Sequence, residues 1–304
     1  MDDNNEIMET SSITAGLEEK PESIWKSVWD SLKKNKAAMV SLVFIGILVL
    51  IAIVTAIFPG ILPHDPYEQD LGKSFVSPNA QYWFGTDQLG RDIFSRIMVG
   101  TRVSLSVGVI AVAISLTFGV LLGSIAGYLG GKVDTVIMRL MDIMLSIPSI
   151  LLAIAFMAAL GQGIDKAVIA ITLVSIPEYA RIVRGEILSV KQNDYVQAAK
   201  VIGDKDGRIV FHHVLPNVMS SIIVRATLGI SSAILDASAL GFLGLGVQPP
   251  MAEWGDMLGR ARNYILVAPY SMIFPGLAIS LSVLAFNLLG DGLRDALDPK
   301  SRQN

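Results

Sequence analysis

The chain has 304 residues, of which 52% are hydrophobic and 17% charged, well below the roughly 25% charged residues of soluble domains. That composition, with a mean hydropathy of +0.55, marks an integral membrane protein, and a net charge of −3 excludes an electrostatic case for nucleic acid. The absence of cysteine excludes a disulfide framework or thiolate metal site, and His64, His212 and His213 are too few and too scattered to make a metal centre.

In chain order, residues 1–23 are polar and acidic. They have neither the basic start nor the apolar core of a secretory signal, and their composition predicts a disordered cytosolic tail. Residues 24–100 form an N-terminal unit. Its first span, 37–58, is an apolar run flanked by Lys33, Lys34 and Lys36 before and Pro59-Gly60 after, and is long enough for a bilayer core that takes about 20 helical residues. The stretch 59–100 is long for a loop and turn-rich. Within it, YWFGTDQLGRDIFSRIMVG alternates charged and apolar residues like a helix lying at the outer interface, with Tyr82 and Trp83 as anchors.

Residues 101–292 carry five further spans, at 103–128, 136–160, 167–187, 218–242 and 270–289. Residues 293–304 are expected to form a cytosolic C-terminal tail. Ser115, Gly119, Gly123 and Gly127 recur every four residues, so small side chains line one ridge of the second span and permit close helix approach. Pro148, Pro177 and Pro275 fall inside the third, fourth and sixth spans and are expected to bend them. With the N-terminus inside, the outer segments hold only Lys73, Arg91, Arg96, Arg102, Lys166, Arg260 and Arg262, leaving the other 17 of 24 lysines and arginines at or near the inner side. The positive-inside rule therefore places both termini in the cytosol. The fold class is all-α, with six transmembrane helices.

Charges within spans face a cavity or a partner. Arg225 and Asp236, eleven residues apart in the fifth span, project from nearly the same helix face about 16 Å apart along the axis, too far for a direct pair. Either that face borders a translocation pathway, or Arg225 snorkels to the inner surface while Asp236 bonds a neighbouring helix. Asp142, Glu178 and Arg181 lie near inner ends, where packing between helices is expected. No nucleophile–base–acid set occurs, which disfavours a membrane enzyme. No internal repeat with broken helices supports an ion-coupled secondary transporter.

Between the fourth and fifth spans runs the polar segment DYVQAAKVIGDKDGRIVFHHVLPN, residues 194–217. Residues 194–202 predict a short helix, with Ala198 and Ala199 as strong formers and Tyr195, Ala198, Ala199 and Ile202 on one face. Gly203 follows as the residue of positive φ that ends it. Asp204 is expected to cap a second short helix through Phe211, and Pro216 marks the approach to the fifth span. The order Gln197-Ala198-Ala199, then Gly203, then His213-Val214-Leu215-Pro216 resembles the coupling loop of permease subunits of binding-protein-dependent ABC importers. Gln197 and His213 stand where that family's pattern has Glu and Ile.

WFGTDQLGRDIFSR (83–96), ALGFLGLGVQPPMAEWG (239–255) and NLLGDGLRDALDPK (287–300) resemble the dipeptide, oligopeptide and nickel subgroup, and within it the second permease. An extra first span before a five-span core is that subgroup's layout. The resemblance implies a type I ABC importer fold, a related second permease, two ATPase subunits inside and a substrate-binding protein outside, in a bacterial or archaeal cytoplasmic membrane. Peptide substrate and membrane lipid complete the implied partners. It also implies ATPase contact through Tyr195, Gln197, Ala198, Ala199, Gly203, Asp204, Gly207, Leu215 and Pro216. A peptide substrate is expected, with nickel or a metal chelate as the alternative. The sequence contains no G-x-x-x-x-G-K-[ST] loop, so ATP and Mg belong to the partner ATPases and no cofactor is expected on this chain.

Overall fold

The computed structural model describes residues 24–298. The tail expected for 1–23 lies outside the described residues, as does 299–304, the second half of the expected C-terminal tail. Among the described residues all extended regular elements are helical.

Helix α1 (Ile24–Lys34) buries Val28 and Leu32 against the far end of the chain, Val28 on Ala296 and Leu297, and Leu32 beside Leu289. Asn35 then caps α2 (Lys36–Ile57), its side chain accepting the Ala38 N–H at 3.1 Å. Leu48 of α2 packs on Leu105, Ile234 and Phe286.

The long segment after α2 is a folded cap. Asp87 bonds the buried Arg91 at 2.7 Å, and the equally buried Arg96 donates to the Pro66 carbonyl at 2.8 Å. Residues 82–92 are not the interfacial helix expected from their charge alternation. The aspartates at 87 and 92 bond backbone N–H groups in a turn, and Asp92 caps the next helix through the Ser95 N–H. Tyr82 is buried and stacked on His64 at 4.5 Å, so it is no lipid anchor, whereas Trp83 is exposed.

Helix α3 (Ile93–Leu129) has 37 residues and a length of about 55 Å. The chain then forms α4 (Gly131–Leu145) and α5 (Ser149–Leu160), which meet at 92°. Pro148 sits in the break, as its missing N–H requires. Helix α6 (Ile164–Val190) carries Pro177 internally. Helix α7 (Asp194–Val201) is short, and α8 (Asp206–Phe242) and α10 (Tyr270–Leu297) are long. The expected sixth span therefore continues as helix to Leu297, past the boundary drawn at 292.

Six spans were expected. Among the described residues four helices, α2, α3, α8 and α10, are individually long and apolar enough to cross a membrane, and the bent pair α4–α5, taken as one span, brings the number to five. Helix α6 has the length, at 27 residues, but Glu178, Arg181, Arg184 and Glu186 break its apolar character. It nevertheless follows α3 closely. Thr172 lies beside Ala111, Tyr179 beside Gly119 and Ile187 beside Gly127.

That α3–α6 contact is the most extensive helix pairing among the described residues. A Cβ on Gly123 would stand 2.5 Å from the Ala180 carbonyl oxygen, and one on Gly127 3.0 Å from that of Arg184. The ridge of small residues is thus a packing device, and Tyr179 bridges two helices, its Cβ against Gly119 of α3 and its hydroxyl end against Gly229 of α8.

After α8 the chain turns back on itself. Gly255 and Gly259 of α9 (Trp254–Ala261) lie against Ser238 and Phe242 of α8, so residues 243–253 return along the end of that helix. Glu253 fixes the return. Its carboxylate accepts the Gly255 and Asp256 N–H groups at 2.9 and 2.8 Å and the Ser104 hydroxyl at 3.1 Å.

Gly123→Leu forces a branched side chain into backbone. It is expected to destabilise the subunit by more than about 2 kcal/mol, read as a lowered melting temperature in detergent, whereas Gly46→Leu, with open space around it, leaves melting unchanged.

Candidate functional site

Two groups of residues stand out, one at each of two levels of the bundle. The first is the knob between α6 and α8. Helix α7 is held by Val196 and Ala199, both buried in a cluster with Tyr128, Ile187, Ile209 and Val214. The face expected from spacing is therefore split. Ala199 turns inward with Val196, while Tyr195, Ala198 and Ile202 face outward. Adjacent helical residues differ by about 100° in direction, and with Val196 turned to the bundle Tyr195 points to solvent. Gln197 is exposed and its amide donates to the Lys191 carbonyl at 2.8 Å.

Gly203 has φ +93°, in the left-handed region expected of it. The N–H of Asp204 reaches the Ala199 carbonyl at 3.1 Å, closing α7. Asp204 does not cap a second helix. The capping position is Lys205, with no side-chain bond, and Asp204 instead faces His213 at 3.5 Å and Arg208 at 3.7 Å. Nor is there a separate second helix ending at Phe211. Helix α8 starts at Asp206 and passes through a wide π-helical turn, Ile209–Val214. The wide turn immediately precedes Pro216, whose ring cannot sit against the carbonyl four residues back in a regular helix. Leu215 is buried in the cluster beneath, whereas Gly207 and Pro216 are exposed.

The tip is apolar and open. Val201 is 88% and Ile202 83% exposed. The knob is tied to the end of α3, where Tyr128 donates its hydroxyl proton to Asp206 at 2.8 Å. Lys191 donates to the Tyr128 carbonyl. Tyr128 was legible only as the end of a span, because its partner lies 78 residues away.

The second group is a polar face on α8. Asn217, Ser221, Arg225, Ser232 and Asp236 fall within about 100° of arc, and none is buried in this chain. Arg225 forms an ion pair with Glu178 of α6, while its Nε is shielded from solvent without a partner. Asp236 has no hydrogen-bond or ion-pair partner among the described residues. Arg225 and Asp236 share a side, as the spacing requires, and remain unpaired with each other. Glu178, expected to be a packing residue, is the one that meets Arg225. Arg181 and Arg184 pair with Asp142 and Asp134 of α4, as expected for Asp142 and Arg181. Beside Arg225 lies an open cavity of about 580 Å³, lined by Glu186, Asn217, Ser220, Ser221 and Arg294 among others.

Two family models match. Residues 119–303 match the binding-protein-dependent transport system inner membrane component, and residues 23–78 the N-terminal TM domain of oligopeptide transport permease C. The chain is 51% identical over 281 residues to a dipeptide transport system permease protein, DppC, of Alkalihalophilus pseudofirmus, covering 92% of this chain and 91% of that one. It is 50% identical to a di/tripeptide transport system permease protein of Pseudomonas aeruginosa, covering 90% and 92%. It is 45% identical to a glutathione transport system permease protein of Pectobacterium atrosepticum, covering 91% of each. Among solved structures, a chain of the MetNI methionine ABC transporter in an inward facing conformation superimposes with a TM-score of 0.52 at 20% identity, covering 64% of this chain and 94% of that one. This last likeness is one of fold.

The turn at Gly203 yields a direct test. Nothing surrounds its missing Cβ, so Gly203→Val introduces backbone strain without a clash, about 1–2 kcal/mol. Hydrogen exchange of residues 194–208 is expected to accelerate while the rest of the bundle keeps its protection. Tyr128→Phe removes one hydrogen bond, about 1 kcal/mol, and is expected to accelerate the same segment more weakly.

Proposed function

The chain belongs to the family of binding-protein-dependent transport system inner membrane components, and from that membership we propose that it is one permease half of an ATP-driven importer for short peptides. It is a multi-pass membrane protein and the permease component of an ABC transporter. The relatives named for dipeptides, di/tripeptides and glutathione favour a peptide over a metal chelate, and the family sets aside an ion-coupled carrier. The polar face of α8 borders the pathway in this reading, opposite a related second permease. Both termini and the knob lie in the cytosol, where two ATPase subunits hold the ATP and Mg. A substrate-binding protein docks on the cap at the other side.

The observation that supports coupling best is the tip of α7. Apolar side chains at Val201 and Ile202 are held open to solvent on a knob fixed from beneath by Val196, Ala199 and the Tyr128–Asp206 bond. Burying apolar surface in a partner's cleft stabilises the contact by about 25 cal/mol per Å². The knob is bonded to α3 and continuous with α8, so movement of an ATPase pair passes into the bundle as a rigid-body shift. Of the residues expected in the contact, Tyr195, Gln197, Ala198, Gly207 and Pro216 are available at the surface. Ala199 and Leu215 act from beneath, and Gly203 and Asp204 shape the turn.

Two measurements test this reading. Ile202→Glu changes a side chain that touches little within the chain, so the subunit is expected to fold while ATPase co-purification drops at least about tenfold. Undiminished co-purification overturns the tip as the docking element. For orientation, single thiols at the exposed positions Ser77 and Lys205 are expected to label from outside and inside the cell respectively, and the reverse pattern overturns the import topology.

A further inference from the structure

Most intramembrane charges in this chain brace two helices of the same bundle. Arg181 and Arg184 each meet an aspartate of α4. The Arg181–Asp142 pair is at least as open to solvent as the Arg225–Glu178 pair, but of these arginines only Arg225 lines the cavity. The Arg225–Glu178 pair lies on the unburied polar face of α8, with the Glu178 side chain 52% and the Arg225 side chain 28% exposed. Arg225 lines the 580 Å³ cavity, and Glu186 lines the same wall about two α6 turns beyond Glu178. Ser220, Ser221 and Asn217 add short polar side chains on the same side. Such a face is unfavourable against lipid tails. Half of the Glu178 side chain is open, so a new partner can reach it as the old one leaves, and an ion pair exchanged in this way loses little.

The cavity volume falls within the range of about 300–1,000 Å³ typical of small-molecule sites. A planar guanidinium matches a carboxylate in a two-bond fork, and a carboxylate beside it matches an ammonium. The structure thus offers partners for both charges of a zwitterion at one place, and each is paired with the other when no substrate is present, with the shielded Arg225 Nε left over as a donor.

We propose that the Arg225–Glu178 pair is an exchangeable contact in the pathway, opened by a peptide whose free α-carboxylate takes Arg225 and whose free α-ammonium takes Glu178 or Glu186. This rests on the peptide-importer reading and adds what that reading leaves open, a station on this chain that recognises free termini. Because substrate replaces an ion pair with two ion pairs, neither Arg225 nor Glu178 is left without an opposite charge when the pair opens. Passage therefore avoids the cost of desolvating a lone Arg or Glu. Asp236, three turns further along the same face and without a partner among the described residues, supplies a second anionic contact for an ammonium on the same line.

The test uses the assembled transporter in proteoliposomes with cysteine-free partner subunits, in which Ser221→Cys supplies the only thiol. A membrane-impermeant methanethiosulfonate is applied to the face carrying the knob, with and without the dipeptide Ala-Ala or its blocked form, N-acetyl-Ala-Ala amide. The thiol is expected to label. Ala-Ala is expected to slow labelling about tenfold, the equivalent of one charge-assisted contact, and the blocked form is expected to leave it unchanged. The double variant Arg225→Gln, Glu178→Gln, which leaves neither charge orphaned, is expected to lose the protection.

A thiol that never labels, a labelled thiol that Ala-Ala does not protect, or equal protection by the blocked peptide overturns the proposal. So does protection that survives in the double variant. The comparison of free and blocked peptides needs no change to the pair and stands if the double variant fails to assemble. ATP-driven uptake of Ala-Ala in the same vesicles reports on the broader reading. Uptake without protection removes this inference alone, and absence of uptake in the unaltered complex removes the importer for short peptides.

Discussion

Contact between the backbones of α3 and α6 is the constraint on which the rest of the structure depends. Where lipid surrounds both partners, burying apolar side chains gives no net drive, and helices associate through dispersion and close fit. Gly119, Gly123 and Gly127 let α6 come near enough for its carbonyls at Ala180 and Arg184 to lie against the α3 surface. Helix α6 carries four charged residues in its second half and is poorly suited to lipid on every side. The α3 ridge gives it one dry face, and ion pairs to α4 and α8 engage Arg181, Arg184 and Glu178.

The position of the knob follows from that contact. Helix α6 leads into α7 through Lys191, whose ammonium bonds the last turn of α3. Tyr128, at the same end of α3, holds Asp206 at the start of α8. The two spans flanking the knob are therefore both referenced to a third helix. Val196 and Ala199 seat α7 on that assembly, which leaves the tip exposed without leaving it loose. The π-helical turn at Ile209–Val214 joins the knob to α8 without a break, so the knob and the polar face are parts of one element.

Much of this was legible in the sequence because it depends on local chemistry. The apolar runs, the four-residue glycine spacing, Gly203 as a turn of positive φ and Pro148 as a break all follow from what single residues allow. The failures share a cause as well. Asp204 was read as a cap because caps are local, but His213 and Arg208 claim its carboxylate. Val196 was not expected to be the inward residue of α7, because alternation within eight residues cannot say which face meets a neighbour. Tyr82 was read as a lipid anchor, but the cap folds over it and stacks it on His64. Glu178 and Arg225 were each visible as charges, yet their pairing depends on the relative depth of two helices. The return of residues 243–253 and its capping by Glu253 also depend on three-dimensional proximity to Ser104, nearly 150 positions earlier.

The charge on α6 has a bearing on how the protein is made. A helix emerging from the ribosome partitions into lipid according to its own apolarity, and α2, with a mean hydropathy of 3.1 in its most apolar window, does so unaided. Helix α6 does not reach that standard alone. It follows α3 in the chain, and its complementary face is already present in the membrane when α6 arrives. The glycine ridge then serves as a receptor during biogenesis before it serves as a packing surface. A chain whose ridge is blocked would expose Glu178, Arg181, Arg184 and Glu186 to the bilayer or leave them outside it. Membrane quality control would meet that defect before any transport step could reveal it.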